Sequence, residues 1–217
     1  MRVWSESIFP RFLDWIARDN DELKELRTRA LAPAQGRVLE LGFGTGLNLP
    51  HYPRSVTQIV AVDPNPGMAT IAHRRMQGLG IAVEHHQISA ESLAFDTGSF
   101  DSVVSTLTLC SIPNVRAALA EVTRVLKPGG QFLFFEHGRH AESSVAKWQD
   151  RLNPLWKAIF DGCHINRDIA QLVSDAGLAL RGIEHPRMHA PRIAGFVYLG
   201  RAVRPRPAAP IQILEQP

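Results

Sequence analysis

From residue 37 onward, short apolar runs alternate with amphipathic stretches. The runs at 37–41, 59–62, 81–86, 102–107 and 131–136 are rich in branched aliphatic and aromatic residues and read as strands. Between the last two, Val115, Ala118, Leu119, Val122, Val125 and Leu126 recur at helical spacing, and Pro128-Gly129-Gly130 follows as a helix stop and turn. A later helix carries Ile169, Leu172, Val173 and Ala176 on one face, with Gly177 just past its end. Runs at 178–183 and 193–199 predict two closing strands. Continuous apolar strands separated by helices predict a parallel sheet covered on both faces, an α/β architecture.

The flanks follow other rules. Phe9, Phe12, Leu13 and Ile16, then Leu23, Leu26 and Ala30, predict two short helices within 1–36 that pack on the domain or cover a pocket as a lid. Residues 138–165 interrupt the alternation with Trp148, Trp156 and Phe160 and read as an insertion in a domain spanning 37–200. From 201 to 217, prolines and arginines predict a loose tail.

Composition narrows the class. A chain of 217 residues predicts one domain with its own core. With 45% apolar and 21% charged residues it has the balance of a globular protein, which excludes wholesale disorder. A formal net charge of +3 gives no electrostatic footprint for nucleic acid. Cys110 and Cys163 stand far apart in sequence, which excludes a disulfide scaffold and a four-cysteine zinc site and predicts a reducing, cytoplasmic setting. No run approaches the roughly 20 apolar residues of a membrane span. Glu6, Asp14 and Asp19 also interrupt any secretion-signal pattern.

The first predicted strand runs into Gly42-Phe43-Gly44-Thr45-Gly46, glycines that let backbone pass close to a ligand. A dinucleotide fingerprint requires a further glycine at 47 or 49, where leucine stands, and the Lys-Ser/Thr of a phosphate loop is missing. The expected ligand is therefore nucleoside-like without a dominant phosphate. Asp63 closes the next strand, where a carboxylate can accept from both ribose hydroxyls. Glu40, just ahead of the glycines, suits a cationic ligand and would repel a diphosphate.

Together, the E-x-G-x-G-x-G loop, Asp63 in Val-Asp-Pro-Asn-Pro-Gly-Met, and Arg-Val-Leu-Lys-Pro-Gly-Gly resemble the class I S-adenosylmethionine-dependent methyltransferases. The resemblance implies a Rossmann-like, doubly wound sheet of seven strands with the last antiparallel. It also implies S-adenosylmethionine as cofactor and S-adenosylhomocysteine as product. By the same resemblance Glu40, Gly42, Gly44 and Gly46 hold the amino-acid end and Asp63 the ribose. Pro64 and Met68 flank the adenine, which Ala90 backbone or the Glu91 carboxylate would contact. Thr106 and Leu107 line the methyl-transfer face.

The runs Ser105–Ser111, Phe135-Glu136-His137, Leu152–Trp156 and Phe160–His164 are similar to the alkyl thiol S-methyltransferases of the methyltransferase-like 7 group. That implies a small-molecule acceptor, hydrogen sulfide or an alkyl thiol. A thiol already yields some thiolate at neutral pH, so in-line placement matters more than a strong base. His137, after the fifth strand, is the first candidate for a base, with His164 second and Asp161 beside it. The family's hydrophobic leader is replaced here by an amphipathic segment, from which a weak membrane-surface contact through 8–16 is expected. Both cysteines read as small apolar residues, and the histidines show no ligand spacing, so no metal is expected. Gly44–Tyr52 also resembles bacterial phospholipid N-methyltransferases. O-methylation of a small molecule and a non-catalytic cofactor-binding module complete the alternatives, and oligomeric state is left open.

Overall fold

In the computed structural model, residues 3–18, 20–77 and 80–207 are described. A π-helical turn, Trp4–Ile8, leads into α1 (Phe9–Arg18) and α2 (Asp21–Leu31). There follow β1 (Gly36–Leu41), β2 (Val56–Val62), α3 (Pro66–Met76), β3 (Ala82–His86), β4 (Phe100–Thr106), α4 (Val115–Val125) and β5 (Leu126–His137). The chain continues through α5 (Ser143–Ile159), α6 (Ile169–Asp175), β6 (Ala179–Glu184) and β7 (Val197–Val203). The seven strands form one sheet in the order β3-β2-β1-β4-β5-β7-β6. All pairings are parallel except those of β7, which runs antiparallel to both β5 and β6.

Strand periodicity explains why both faces are covered. Successive side chains point to opposite sides, so Leu39 and Leu41 join Phe132 and Phe134 beneath α4 and α6, while Val38 joins Ile59, Ala61 and Val104 on the other face. Glu40 falls on the Val38 side. Side-chain caps set where helices begin: Asn20, Asn65, Asn114 and Asp168 accept backbone N–H groups from the first turns of α2, α3, α4 and α6. The last strand presses so tightly on the core that a Cβ at Gly200 would lie 2.3 Å from the Phe134 ring.

Several boundaries differ from those the sequence predicts; the last strand, expected at 193–199, is Val197–Val203. Pro128-Gly129-Gly130 is not a separate turn, because α4 passes directly into β5 at Leu126. There Gly129 N–H donates to Arg204 O and Arg204 N–H to Gly130 O, extending the ladder. For the same reason the domain boundary expected at 200 falls inside β7, which runs to Val203. Of the expected tail, 208–217 lies outside the described residues. The interruption at 138–165 resolves largely into α5, which contains Pro154, followed by a turn through Asp161 and Gly162.

Candidate active site

The sheet has its switch point at β1, which pairs with β2 on one side and β4 on the other. Connections leave these strands toward opposite faces, and the crevice at their carboxyl ends is where this architecture binds ligands. A cavity of about 460 Å³ lies there. One end is lined by Glu40, Gly42, Gly44, Asp63, Pro64 and Met68. The other is lined by Cys110, Ile112, His137, Trp156, Phe160 and Cys163. Thr106 and Leu107 stand between, and Ala90 and Asp161 are also in the wall.

The loop after β1 is bent by residues that only glycine tolerates. Gly42 has φ +62°, and a Cβ there would lie 2.2 Å from Thr108 Cγ2. Gly44 has φ +56° and donates its N–H to Asp63 Oδ2 at 2.8 Å, while Asn65 N–H reaches Asp63 Oδ1 at 2.8 Å. Asp63 therefore fixes the loop and faces the cavity. Burial raises its pKa, and the two N–H donors counter part of that rise.

Glu40 is buried with Oε1 accepting from Asn48 Nδ2 at 2.8 Å and Oε2 from Tyr52 OH at 2.6 Å. Burial lifts its pKa to about 7 despite these bonds and nearby Arg27. Arg27 reaches in from α2, giving Nη1 to Asn48 Oδ1 at 2.7 Å and to Thr106 Oγ1 at 3.0 Å. Its Nε is buried without a partner among the described residues. Charges of both signs beside the glycine loop, one with an unspent donor, fit the zwitterionic amino-acid end of S-adenosylmethionine. The apolar walls Pro64, Met68 and Ala90 fit an adenine.

The N-terminal segment closes over this end. Asp14 of α1 accepts from both Arg75 Nη1 and Nη2, at 2.6 and 3.0 Å, and from Thr45 Oγ1 at 2.7 Å. Phe9, Leu13 and Ile16 contribute to the cavity wall. On the acceptor side Ser5 Oγ donates to Asp161 Oδ2 at 2.8 Å. The segment is held against α3 because Gly67 lacks a side chain; a Cβ there would lie 1.8 Å from Glu6 O.

Around the acceptor end, Glu136 organises backbone rather than substrate. Its carboxylate accepts from Ser105 Oγ at 2.7 Å and from the N–H groups of Thr108 and Leu109. Leu107, held at φ +53°, donates its N–H to Phe135 O at 2.7 Å. His137 Nε2 lies 3.6 Å from Cys163 Sγ, and Cys110, His137 and Cys163 bring one ligand-type atom each within 4.8 Å of the others. Burial opposes protonation of His137, but Cys110 and Glu136 prevail and raise its pKa to about 9. A hydrogen bond with Cys163, helped by His137 and Ser111, holds the Cys110 thiol well below its ordinary range although burial opposes it.

Three predicted site residues lie elsewhere. Gly46 shapes the loop, donating its N–H to Phe43 O at 3.0 Å, but does not line the cavity. Glu91 turns away to accept Asn114 N–H at the start of α4, so of the two adenine contacts expected there only Ala90 remains in the wall. His164 is outside the cavity, with its ring 3.3 Å from Asn153 and its N–H on Cys110 O. Conversely, the sequence reading passed over Arg27, Asn48, Tyr52 and Asp14. Nothing local distinguishes Arg27 from the other charges of α2. The expectation of no metal rested on scattered histidines and on cysteines read as small apolar residues; folding brings Cys110, His137 and Cys163 together.

A methyltransferase domain family matches residues 39–134. Thiol S-methyltransferase TMT1B of Rattus norvegicus is 42% identical over 141 residues, 60% of this chain and 55% of that protein. Phosphatidylethanolamine N-methyltransferase of Cereibacter sphaeroides is 33% identical over 155 residues, 70% of this chain and 75% of that protein. The chain belongs to the class I S-adenosylmethionine-dependent methyltransferases. A geranyl diphosphate methyltransferase structure in complex with SAM superposes at a TM-score of 0.65, 17% identity and 83% coverage of each chain, a likeness of fold. Within this methyltransferase family, the chain spans 55% of the length of the rat relative.

Proposed function

We propose that this protein transfers the methyl group of S-adenosylmethionine to the sulfur of a small or hydrophobic thiol. The observation that carries the reading is one cavity joining two unlike ends. The polar end holds Glu40, Asp63 and Arg27; the other is walled by Trp156, Phe160, Leu107 and Ile112. Trp156 and Phe160 stack with ring centroids 4.2 Å apart, a rigid apolar surface. Similarity to a thiol S-methyltransferase supports the same acceptor class.

When bound, S-adenosylmethionine supplies an electrophilic methyl on a sulfonium. The chain's residues do the rest. Glu40 and Arg27 orient the amino-acid end, Asp63 the ribose, and the α1 cover excludes water. Glu136 fixes the Thr108 and Leu109 backbone, so the acceptor wall is set before binding. Thiols ionise near pH 8.5, so placement and desolvation supply most of what the transfer needs.

The apolar wall makes a quantitative test. Each added methylene buried against it gains about 0.8 kcal/mol, so kcat/KM should rise about fourfold per CH₂ along a series of short alkyl thiols. Trp156→Ala should flatten that slope. A series with no chain-length dependence contradicts the pocket assignment.

A lipid acceptor is the second reading, favoured by exposed apolar side chains. Phe12, Trp15 and Ile16 of α1 and Trp148, Leu155 and Ile159 of α5 all face solvent. Among the described residues no helix is long and apolar enough to cross a membrane. Contact at a membrane surface through 8–16 would bring a phospholipid amine, or a thiol dissolved in lipid, to this cover. Methylation of phosphatidylethanolamine vesicles with thiols inert would favour this reading over the first.

A further inference from the structure

We propose that Cys110, His137 and Cys163 form a binding site for a soft divalent cation of the zinc type, with its fourth position open to the acceptor end of the cavity. The three residues come from separate parts of the fold. Cys110 follows β4, His137 ends β5, and Cys163 lies in the turn after α5. All three line the cavity, and their ligand atoms lie within 4.8 Å of one another. Zinc bonds of about 2.3 Å to sulfur and about 2.0–2.1 Å to nitrogen, at tetrahedral angles, put sulfur and nitrogen about 3.6 Å apart. Cys163 Sγ and His137 Nε2 stand at 3.6 Å.

The backbone under these ligands is fixed. His164 N–H donates to Cys110 O at 2.8 Å, tying the two cysteine loops together, and Cys163 N–H donates to Phe160 O at 3.0 Å. Both cysteines are free thiols. His137 Nδ1 has no hydrogen-bond partner among the described residues, so Nε2, 3.6 Å from Cys163 Sγ, is the ring nitrogen that meets a ligand-type neighbour. Two sulfurs and an imidazole are a donor set for a soft or borderline ion, whereas hard ions prefer oxygen. Three protein ligands with a vacant fourth place is the pattern of a reactive centre; a structural zinc site is closed by four.

An acceptor thiol would take the fourth position as a thiolate. The metal–sulfur bond forms, the S–H bond breaks, the proton leaves to solvent, and no oxidation state changes. This last role rests on the thiol reading above; binding of the cation does not.

The test is a cobalt titration of the full chain, reduced and stripped of metal. One equivalent of Co²⁺ should produce thiolate-to-cobalt charge transfer in the near ultraviolet and the strong visible bands of a tetrahedral site, and Zn²⁺ should displace it. Cys163→Ser and His137→Ala should each weaken cobalt binding about a hundredfold or more, while S-adenosylmethionine binding, read by calorimetry, reports that the variants fold. In the wild type, Zn²⁺ should protect both thiols from a thiol reagent, which keeps the test independent of the variants. Substoichiometric binding, an octahedral spectrum, thiols unprotected by Zn²⁺, or bands unchanged in folded Cys163→Ser would overturn the site. Cobalt binding as described with no methylation of any thiol would contradict the functional reading alone.

Discussion

At the scale of single residues, the account rests on buried groups whose partners leave no slack. Gly42 sits where a Cβ would collide with Thr108, at a φ that disfavours any side chain. Gly42→Ala should weaken S-adenosylmethionine binding at least about tenfold, the equivalent of about 1.4 kcal/mol, by calorimetry. An unchanged affinity would mean that the loop does not form the cofactor wall. Glu40 gives a pH test. Its pKa is about 7 in the folded chain, above the ordinary 4.5, so its contribution to stability is fully present below pH 4.5 and is lost as pH rises through 7. A cationic ligand favours the carboxylate. Cofactor affinity should therefore rise between pH 6 and 8 with proton release on binding, seen as a dependence of calorimetric heat on buffer ionisation enthalpy. Glu40→Gln should abolish the release. Glu40 and Asp63 were legible in the sequence because each sits at the end of an apolar run, Glu40 just ahead of the glycines. Arg27 was not, since a helix rich in charges does not reveal which one turns inward.

At the scale of elements, α1 is the part whose role depends most on tertiary contacts. Its apolar spacing predicts a helix that covers something, and the structure shows how: Asp14 ties it to Arg75 and to Thr45 of the cofactor loop. This pair is largely screened from solvent, with side-chain exposures of 27% and 13%, so it counts for more than a surface ion pair. Asp14→Ala should raise the KM for S-adenosylmethionine about tenfold and speed proteolysis within 3–18, with the core melting temperature little changed. Equal loss across the whole fold would contradict a separable cover. The outward side of α1 makes a different expectation. Replacing Phe12 and Trp15 by Asp should abolish cosedimentation with anionic phospholipid vesicles; binding that survives places the contact elsewhere.

At the scale of the molecule, the sheet order puts the switch point under the glycine loop; apolar alternation predicted a parallel sheet covered on both faces, and the doubly wound arrangement of seven strands came from the family resemblance. The antiparallel strand, which the family resemblance implied and alternation did not, is β7, paired with both β5 and β6. The acceptor end was harder to read. Cys110, His137 and Cys163 lie in three different loops or strand ends, and only the closed fold makes them neighbours. His164, the second candidate base in the sequence, lies outside the cavity, with its ring beside Asn153 and its backbone N–H on Cys110 O. Local spacing carries no information about such contacts, whereas strand periodicity repeats often enough to declare itself.

In the proposed reaction, the two ends of one cavity bring S-adenosylmethionine and a thiol together. The most direct measurement supplies S-adenosylmethionine with a deuterated methyl group, a hydrophobic alkyl thiol, a phenol and phosphatidylethanolamine in the same reaction, and reads the products by mass spectrometry. The label is expected on the thiol sulfur, and is expected to be lost in Asp63→Ala. Label on the phenol or the lipid amine with the thiol untouched would contradict it.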